Sequence, residues 1–222
     1  MQGTYTLPIM YRILYVDDDP GLLEIGKLFL EQRGQFSVDI SLSASAGLDL
    51  LASANYDAVI SDYQMPGMDG IGFLKKVRAS GNTIPFILFT GRGREEIVIE
   101  ALNEGADFYL QKGGEPVSQF TELAHKIRQS VQKRQSEIMI RDHERREADI
   151  INFLPDATFA IDINGNVIAW NHAIEEMTGV EKAKVLGKGN YEYSLPFYGE
   201  RKPVVIDLVK GYDEAIAKQY PG

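Results

Sequence analysis

The sequence predicts an α/β chain: a five-stranded, doubly wound parallel sheet, then a long connector helix, then a partial α+β unit. Three observations predict it. Short, nearly continuous apolar runs alternate with amphipathic stretches over about the first 115 residues, the pattern of parallel strands covered on both faces. From Val117 to Ile150 neither Gly nor Pro occurs, and Gln, Glu, Lys and Arg dominate, which favours one exposed helix. Beyond it, two short apolar runs flank Asn164-Gly165, a hairpin signal.

Each element follows in order. Arg12 to Asp17 is strand-like and ends in acid. Gly21 to Gln32 carries Leu22, Leu23, Ile25, Leu28, Phe29 and Leu30 at helical spacing. Phe36 to Ile40 is the second strand, and Ser43 to Ser53, with Leu48, Leu50 and Leu51, the second helix. Tyr56 to Asp62 is the third strand, followed by a Pro/Gly turn and a helix from Ile71 to Ala79. Ile84 to Thr90, Arg94 to Glu104 and Asp107 to Gln111 read as strand, helix and strand. Five such strands suit an open sheet rather than a barrel, which needs eight. In the connector, Leu123, Ile127, Val131 and Ile138 form a thin apolar stripe broken by Arg134, Arg141 and Arg145. A weak two-stranded coiled coil and a solvated connector both stay open. Thr158 to Asp162 and Val167 to Trp170 are then strands, and Ala173 to Thr178 a helix ended by Gly179.

Composition narrows the chemistry. The net charge of the 222 residues is −9, which argues against a nucleic-acid clamp or an anionic membrane patch. Cys is absent, so disulfides, thiolate metal sites and cysteine nucleophiles are excluded together. His125, His143 and His172 are too scattered for a zinc site. The longest strongly apolar run, Ile84 to Phe89, is far too short for a membrane span. Met1 to Met10 has no basic and no apolar export region. The expectation is a soluble, cytoplasmic protein that binds neither nucleic acid nor membrane.

In such a sheet the site lies outside the carboxyl ends of the strands. The first strand ends at Asp17-Asp18-Asp19, the third at Asp62, the fourth at Thr90, and the fifth just before Lys112. One acid at a strand end is usually a helix cap or a solvated turn. Acids after two strands, a hydroxyl after another and an ammonium after the last form a coherent set. Clustered carboxylates repel, and a hard divalent cation relieves that repulsion; oxygen ligands without histidine favour Mg²⁺. Asp62 is then a nucleophile toward a phosphoryl group, with Lys112 and Thr90 available for the transferred oxygens.

At these residues the chain resembles the receiver domain of two-component response regulators. The resemblance rests on Val16-Asp17-Asp18, Val59-Ile-Ser-Asp62-Tyr-Gln-Met-Pro-Gly-Met-Asp-Gly70, Phe89-Thr90-Gly91 and Tyr109-Leu-Gln-Lys112. It covers residues 10–130. It implies that Asp62 accepts phosphate from a histidine kinase or phosphotransfer protein. It further implies Mg²⁺ held by Asp17, Asp18, Asp62 and the main-chain carbonyl of Gln64. Thr90 and Lys112 match the pair that contacts the phosphoryl group, and Thr90 and Tyr109 the switch residues. Gln64 and Arg92 stand where the family tunes phosphoryl lifetime. Such a receiver catalyses its own phosphotransfer and dephosphorylation, and no separate enzyme domain accompanies it here. Asp19 reads as the N-cap before Pro20. The family usually has Pro after its lysine; here Gly113-Gly114 follows, which favours a flexible or left-handed loop. A haloacid-dehalogenase-like phosphatase would place its nucleophile in Asp-x-Asp-x-Thr/Val after the first strand. Gly21 stands where that Thr or Val belongs, and Asp62 would go unexplained.

Asp156-Ala157, Asp162, Gly165, Trp170-Asn171, Ala173 and Met177-Thr-Gly179 resemble the opening of a PAS sensory domain. The match is good over residues 150–190. Only 72 residues follow position 150, against roughly 100 for a typical small domain of this kind, so residues 151–222 read as its N-terminal part. Trp170, Phe159 and Phe153 read as core, and His143 as a solvated helix residue. The expected function is therefore two-component phosphorelay signalling, relayed through the 117–150 helix to a PAS module. The alternatives are the N-terminal fragment of a larger hybrid sensor histidine kinase, and a non-phosphorylated PAS/receiver interaction module. A homodimer through the connector or the PAS part also fits this reading.

Overall fold

The computed structural model describes residues 10–32, 35–91 and 95–210, the side chains of 208–210 excepted. The N-terminal stretch read above for export signals, Met10 excepted, lies outside the described residues. The chain divides into two compact units, 1–137 and 138–222.

The first unit alternates β1 (Tyr11–Val16), α1 (Pro20–Glu31), β2 (Phe36–Ser41), α2 (Ala44–Ser53), β3 (Ala58–Ser61), α3 (Gly70–Ala79), β4 (Phe86–Thr90), α4 (Glu95–Asn103), β5 (Phe108–Gln111) and α5 (Pro116–Phe153). All five strands are parallel, in the order β2-β1-β3-β4-β5. The side-chain alternation along β1 shows why both faces need cover. Tyr11, Ile13 and Tyr15 enter one buried cluster with Leu23 and Leu30 of α1 and Phe120, Leu123 and Ile127 of α5. Leu14 and Val16 enter the other, with Ile71, Phe73 and Leu74 of α3 and Ala101 of α4. Burying each such aliphatic or aromatic side chain contributes about 1.5–3 kcal/mol.

The helices begin where polar caps dictate. Asp19 accepts from the N–H groups of Gly21 and Leu22 with Pro20 in the first turn, so it is the N-cap the sequence suggested. Ser43 caps α2 and Asp69 caps α3 in the same way. The helix α5 runs for 38 residues. Its stripe of Leu123, Ile127 and Val131 is spent on the core of the first unit. Ile138 does not continue that stripe: it is exposed. The helix stops before Leu154-Pro155, where proline disfavours helix in the preceding residue.

In the second unit β6 (Phe159–Ile161) and β7 (Val167–Trp170) form an antiparallel hairpin. Asp162 closes it by accepting from the N–H groups of Asn164 and Asn166 and from Asn166 Nδ2. Among the described residues the α-helices α6 (His172–Thr178), α7 (Lys182–Val185) and α8 (Leu195–Tyr198) follow, with short 3-10 turns at Glu192–Ser194 and Val205–Lys210. The core is Val167, Trp170, Ile174, Val185 and Tyr193, with Phe159 stacked on Tyr193 at 5.3 Å. Trp170 and Phe159 belong to it as expected. Phe153 does not: it is the last residue of α5 and is 88% exposed. No helix among the described residues is long and apolar enough to cross a membrane.

Candidate functional site

Parallel register brings the strand ends together. Val16 pairs with Ser61, so Asp17 and Asp62 leave β1 and β3 side by side. Thr90 pairs with Gln111, so Lys112 follows one residue beyond Thr90's level. Main-chain bonds fix these exits: the Asp62 N–H donates to Val16, the Asp17 N–H to Ser41, and the Lys112 N–H to Thr90 at 2.7 Å. Asp17, Asp62 and Thr90 are all buried.

The Lys112 ammonium spans the two carboxylates, 2.6 Å from Asp17 Oδ2 and 2.7 Å from Asp62 Oδ1. Its underside faces the Phe89 ring, 5.8 Å from the centroid. The second oxygen of Asp62 accepts the Gln64 N–H at 2.7 Å, and Asp17 Oδ1 accepts the Asp19 N–H at 3.0 Å. Burial raises the Asp17 carboxyl above its ordinary value, against the opposing pull of Lys112. Two carboxylates against one ammonium leave the cleft with an excess negative charge, compensated by hydrogen bonds that orient the oxygens. Tyr109 is half-buried on β5; burial, then the charge of Asp62, raises its phenol.

The sequence-derived residues do not all occupy equivalent places. Asp18 is exposed, on an open depression shared with Tyr63, Gln64, Met65, Pro66 and Asp69. Among the described residues no three His, Cys, Asp or Glu side chains form a ready-made metal cluster; Asp17 and Asp62 form a pair bridged by Lys112. That donor set, oxygen atoms only and net negative, fits a hard divalent cation in its chemistry. Arg92 and Arg94 lie outside the described residues. Gly113 and Gly114 take φ of +142° and +87°, a turn that proline, fixed near −65°, cannot form.

Two features of the site escaped the sequence reading. Gln64 was expected to contribute its carbonyl and to tune phosphoryl lifetime; that its N–H also orients Asp62 was not foreseen. Gly70 was quoted only as part of a motif. A Cβ there would stand 2.2 Å from the Asp62 carbonyl oxygen and 2.8 Å from Leu88 Cδ1. The start of α3 is thus pressed against the phosphoacceptor candidate's own peptide, and the Gly70 N–H donates to Tyr63 at 2.9 Å. The run of Met, Pro, Gly and Asp between them makes the sharp turn this approach requires.

Comparisons with known proteins agree with the fold of both units. The family model for the response regulator receiver domain matches residues 13–142, and that for the PAS fold matches residues 145–197. The transcriptional regulatory protein FixJ of Bradyrhizobium diazoefficiens is 32% identical over 139 residues, 63% of this chain and 67% of that protein. Response regulator Rre1 of Synechocystis is 38% identical over 106 residues, 47% of this chain and 46% of that protein. The chain thus spans less than half the length of several curated relatives that it matches. A CheY-like receiver domain from Methanospirillum hungatei superposes with a TM-score of 0.53 at 30% identity, covering 58% of this chain and 98% of that one.

Proposed function

Because the chain belongs to the response regulator receiver family, we propose that its first unit accepts a phosphoryl group on Asp62 and relays the change through α5 to the PAS unit. Receiver domains of this family generally bind Mg²⁺ and are phosphorylated by histidine kinases or phosphotransfer proteins. In this reading residues 10–130 are the phosphoacceptor domain, 117–150 the connector that overlaps its last helix, and 151–222 the opening of the PAS unit.

The observation that carries the proposal is the Lys112 ammonium held 2.6 and 2.7 Å from Asp17 and Asp62 on one rim with Thr90. A carboxylate oxygen of Asp62 attacks phosphorus of a phosphohistidine. The P–N bond breaks, its electron pair stays on the imidazole nitrogen, which takes up a proton, and an acyl phosphate remains on Asp62. Lys112 moves its charge from the Asp62 carboxylate onto the arriving oxygens, and Thr90 stands at the end of β4 to donate its hydroxyl to one of them. The Gln64 N–H holds the carboxylate plane, so that little reorganisation is needed at the moment of transfer. Asp17, Asp18, Asp62 and the Gln64 carbonyl would hold Mg²⁺, which when bound supplies charge neutralisation for the phosphoryl oxygens. Thr90, at the end of β4, and Tyr109, within β5, are the switch residues in this reading.

Intact-protein mass after incubation with acetyl phosphate tests this. The expected result is a Mg²⁺-dependent gain of one phosphoryl group that Asp62→Asn abolishes. An equal gain in Asp62→Asn, or no gain together with no beryllofluoride binding, would overturn it.

A further inference from the structure

The end of α5 is held by one buried side chain. Asn171 is 0% exposed, and both halves of its carboxamide are fully engaged. Oδ1 accepts the N–H of Thr158 at 2.8 Å, just before β6, and the N–H of Ile174 at 3.0 Å, in the first turn of α6. Nδ2 faces three carbonyls at the end of α5 and the turn beyond it: Ile151 at 3.3 Å, Leu154 at 3.2 Å and Asp156 at 2.8 Å. The orientation is fixed, because one end of the amide meets only N–H donors and the other only carbonyls.

An N-cap needs only the oxygen. Here the nitrogen also serves three carbonyls at and beyond the helix terminus; two of them have a second donor, the Leu154 N–H on Ile151 at 3.4 Å and the Thr158 hydroxyl on Asp156 at 2.9 Å. Asn171 is itself anchored. Its N–H donates to the Thr158 carbonyl at 3.0 Å, and the preceding Trp170 is buried with its indole N–H on Val180 at 2.9 Å. A rotation or axial shift of the end of α5 therefore carries Asn171, and with it the hairpin and α6, or breaks these bonds. Beyond it the contacts are sparse: Phe153 and Ile150 are exposed, and apolar burial holds the helix end weakly.

We propose that Asn171 is the clasp that couples movement of α5 to the PAS unit, its nitrogen gripping the helix end and its oxygen gripping the hairpin and α6. The proposal rests on the relay reading above. Asn171→Asp separates the two halves. It keeps the acceptor for Thr158 and Ile174 and replaces the donors with an oxygen facing three carbonyls.

The test is NMR-detected hydrogen exchange on the full chain with and without beryllofluoride and Mg²⁺. In the unsubstituted protein, activation is expected to alter exchange in β4, β5 and α5, and to reach residues 158–178. In Asn171→Asp the change in the first unit should persist and the Thr158 and Ile174 amides stay protected at rest. Exchange at 151–156 should rise about tenfold, and the response at 158–178 should vanish. A response at 158–178 undiminished in Asn171→Asp overturns the clasp while leaving the relay intact. No response beyond α5 in the unsubstituted protein overturns the relay, and the clasp with it. Should Asn171→Asp unfold the second unit, the Asn171 carboxamide signals of the unsubstituted protein decide. Protected signals that shift on activation support the clasp, and signals that stay fixed while neighbouring amides shift overturn it.

Discussion

One methyl group at Gly70 would press on the residue proposed to receive the phosphoryl group. With 2.2 Å to the Asp62 carbonyl oxygen, Gly70→Ala must displace either the start of α3 or the end of β3. Overpacking of this kind costs about 1–3 kcal/mol, and a carboxylate moved by a fraction of an ångström loses its alignment. The expected outcome is a lower urea midpoint and phosphorylation by acetyl phosphate slowed roughly tenfold or more; an unchanged rate would show that Gly70 does not set the position of Asp62. Asp17, Asp62, Thr90 and Lys112 were legible in the sequence because each stands at the carboxyl end of an apolar run, where parallel topology leaves no other place for them. The roles of Gly70, the Gln64 N–H and the Asn171 carboxamide were not, since main-chain approach and side-chain amide geometry leave no periodic signal. The glycine pair after Lys112 was read as a flexible or left-handed loop, and Gly113 and Gly114 take positive φ.

At the scale of elements, the sheet edge is tied by a small polar network that composition alone could not reveal. Asp39 on β2 accepts from Arg12 on β1 at 2.7 Å and from the Tyr56 hydroxyl ahead of β3 at 2.9 Å, while Arg12 lies 4.8 Å over the Tyr56 ring. Burial opposes the Asp39 charge, but the Tyr56 and Arg12 bonds outweigh it and hold the carboxyl below its ordinary value of 3.8. A carboxyl depressed in the folded state stabilises above its unfolded value, and that stabilisation is lost as pH falls through the folded value. Asp39→Asn should therefore lower the urea midpoint slightly at neutral pH, the pair being half-exposed and screened. The difference should close below pH 3.8; a gap that widens on acidification would contradict the assignment. The strands were found from their apolar runs, yet their ends moved. β3 covers Ala58–Ser61 rather than Tyr56 to Asp62, because Tyr56 and Asp57 turn to bond Asp39 and the Arg12 N–H while Asp62 turns into the site. The apolar stripe of α5 likewise ends with the core it serves, so Ile138 fell outside it.

For the whole molecule, two kinds of architecture follow one another along a single helix, and the change was visible in the sequence. Parallel, doubly covered strands give way at α5 to a short antiparallel hairpin with polar turns. The order of strands and helices in the first unit was legible, because five repeated strand–helix signals reinforce one another. The second was legible only to α6: α7 and α8 are four residues each, too short to show a helical period. What joins the units functionally is the claim that chemistry at Asp62 starts the signal. The most direct measurement is to phosphorylate the full chain with acetyl phosphate and Mg²⁺, reduce the acyl phosphate with borohydride, and locate the reduced residue by tandem mass spectrometry. The expected result is reduction at Asp62 alone, lost when Mg²⁺ is withheld. Reduction at Asp17 or Asp18, or a phosphoryl group retained on a histidine, would contradict it.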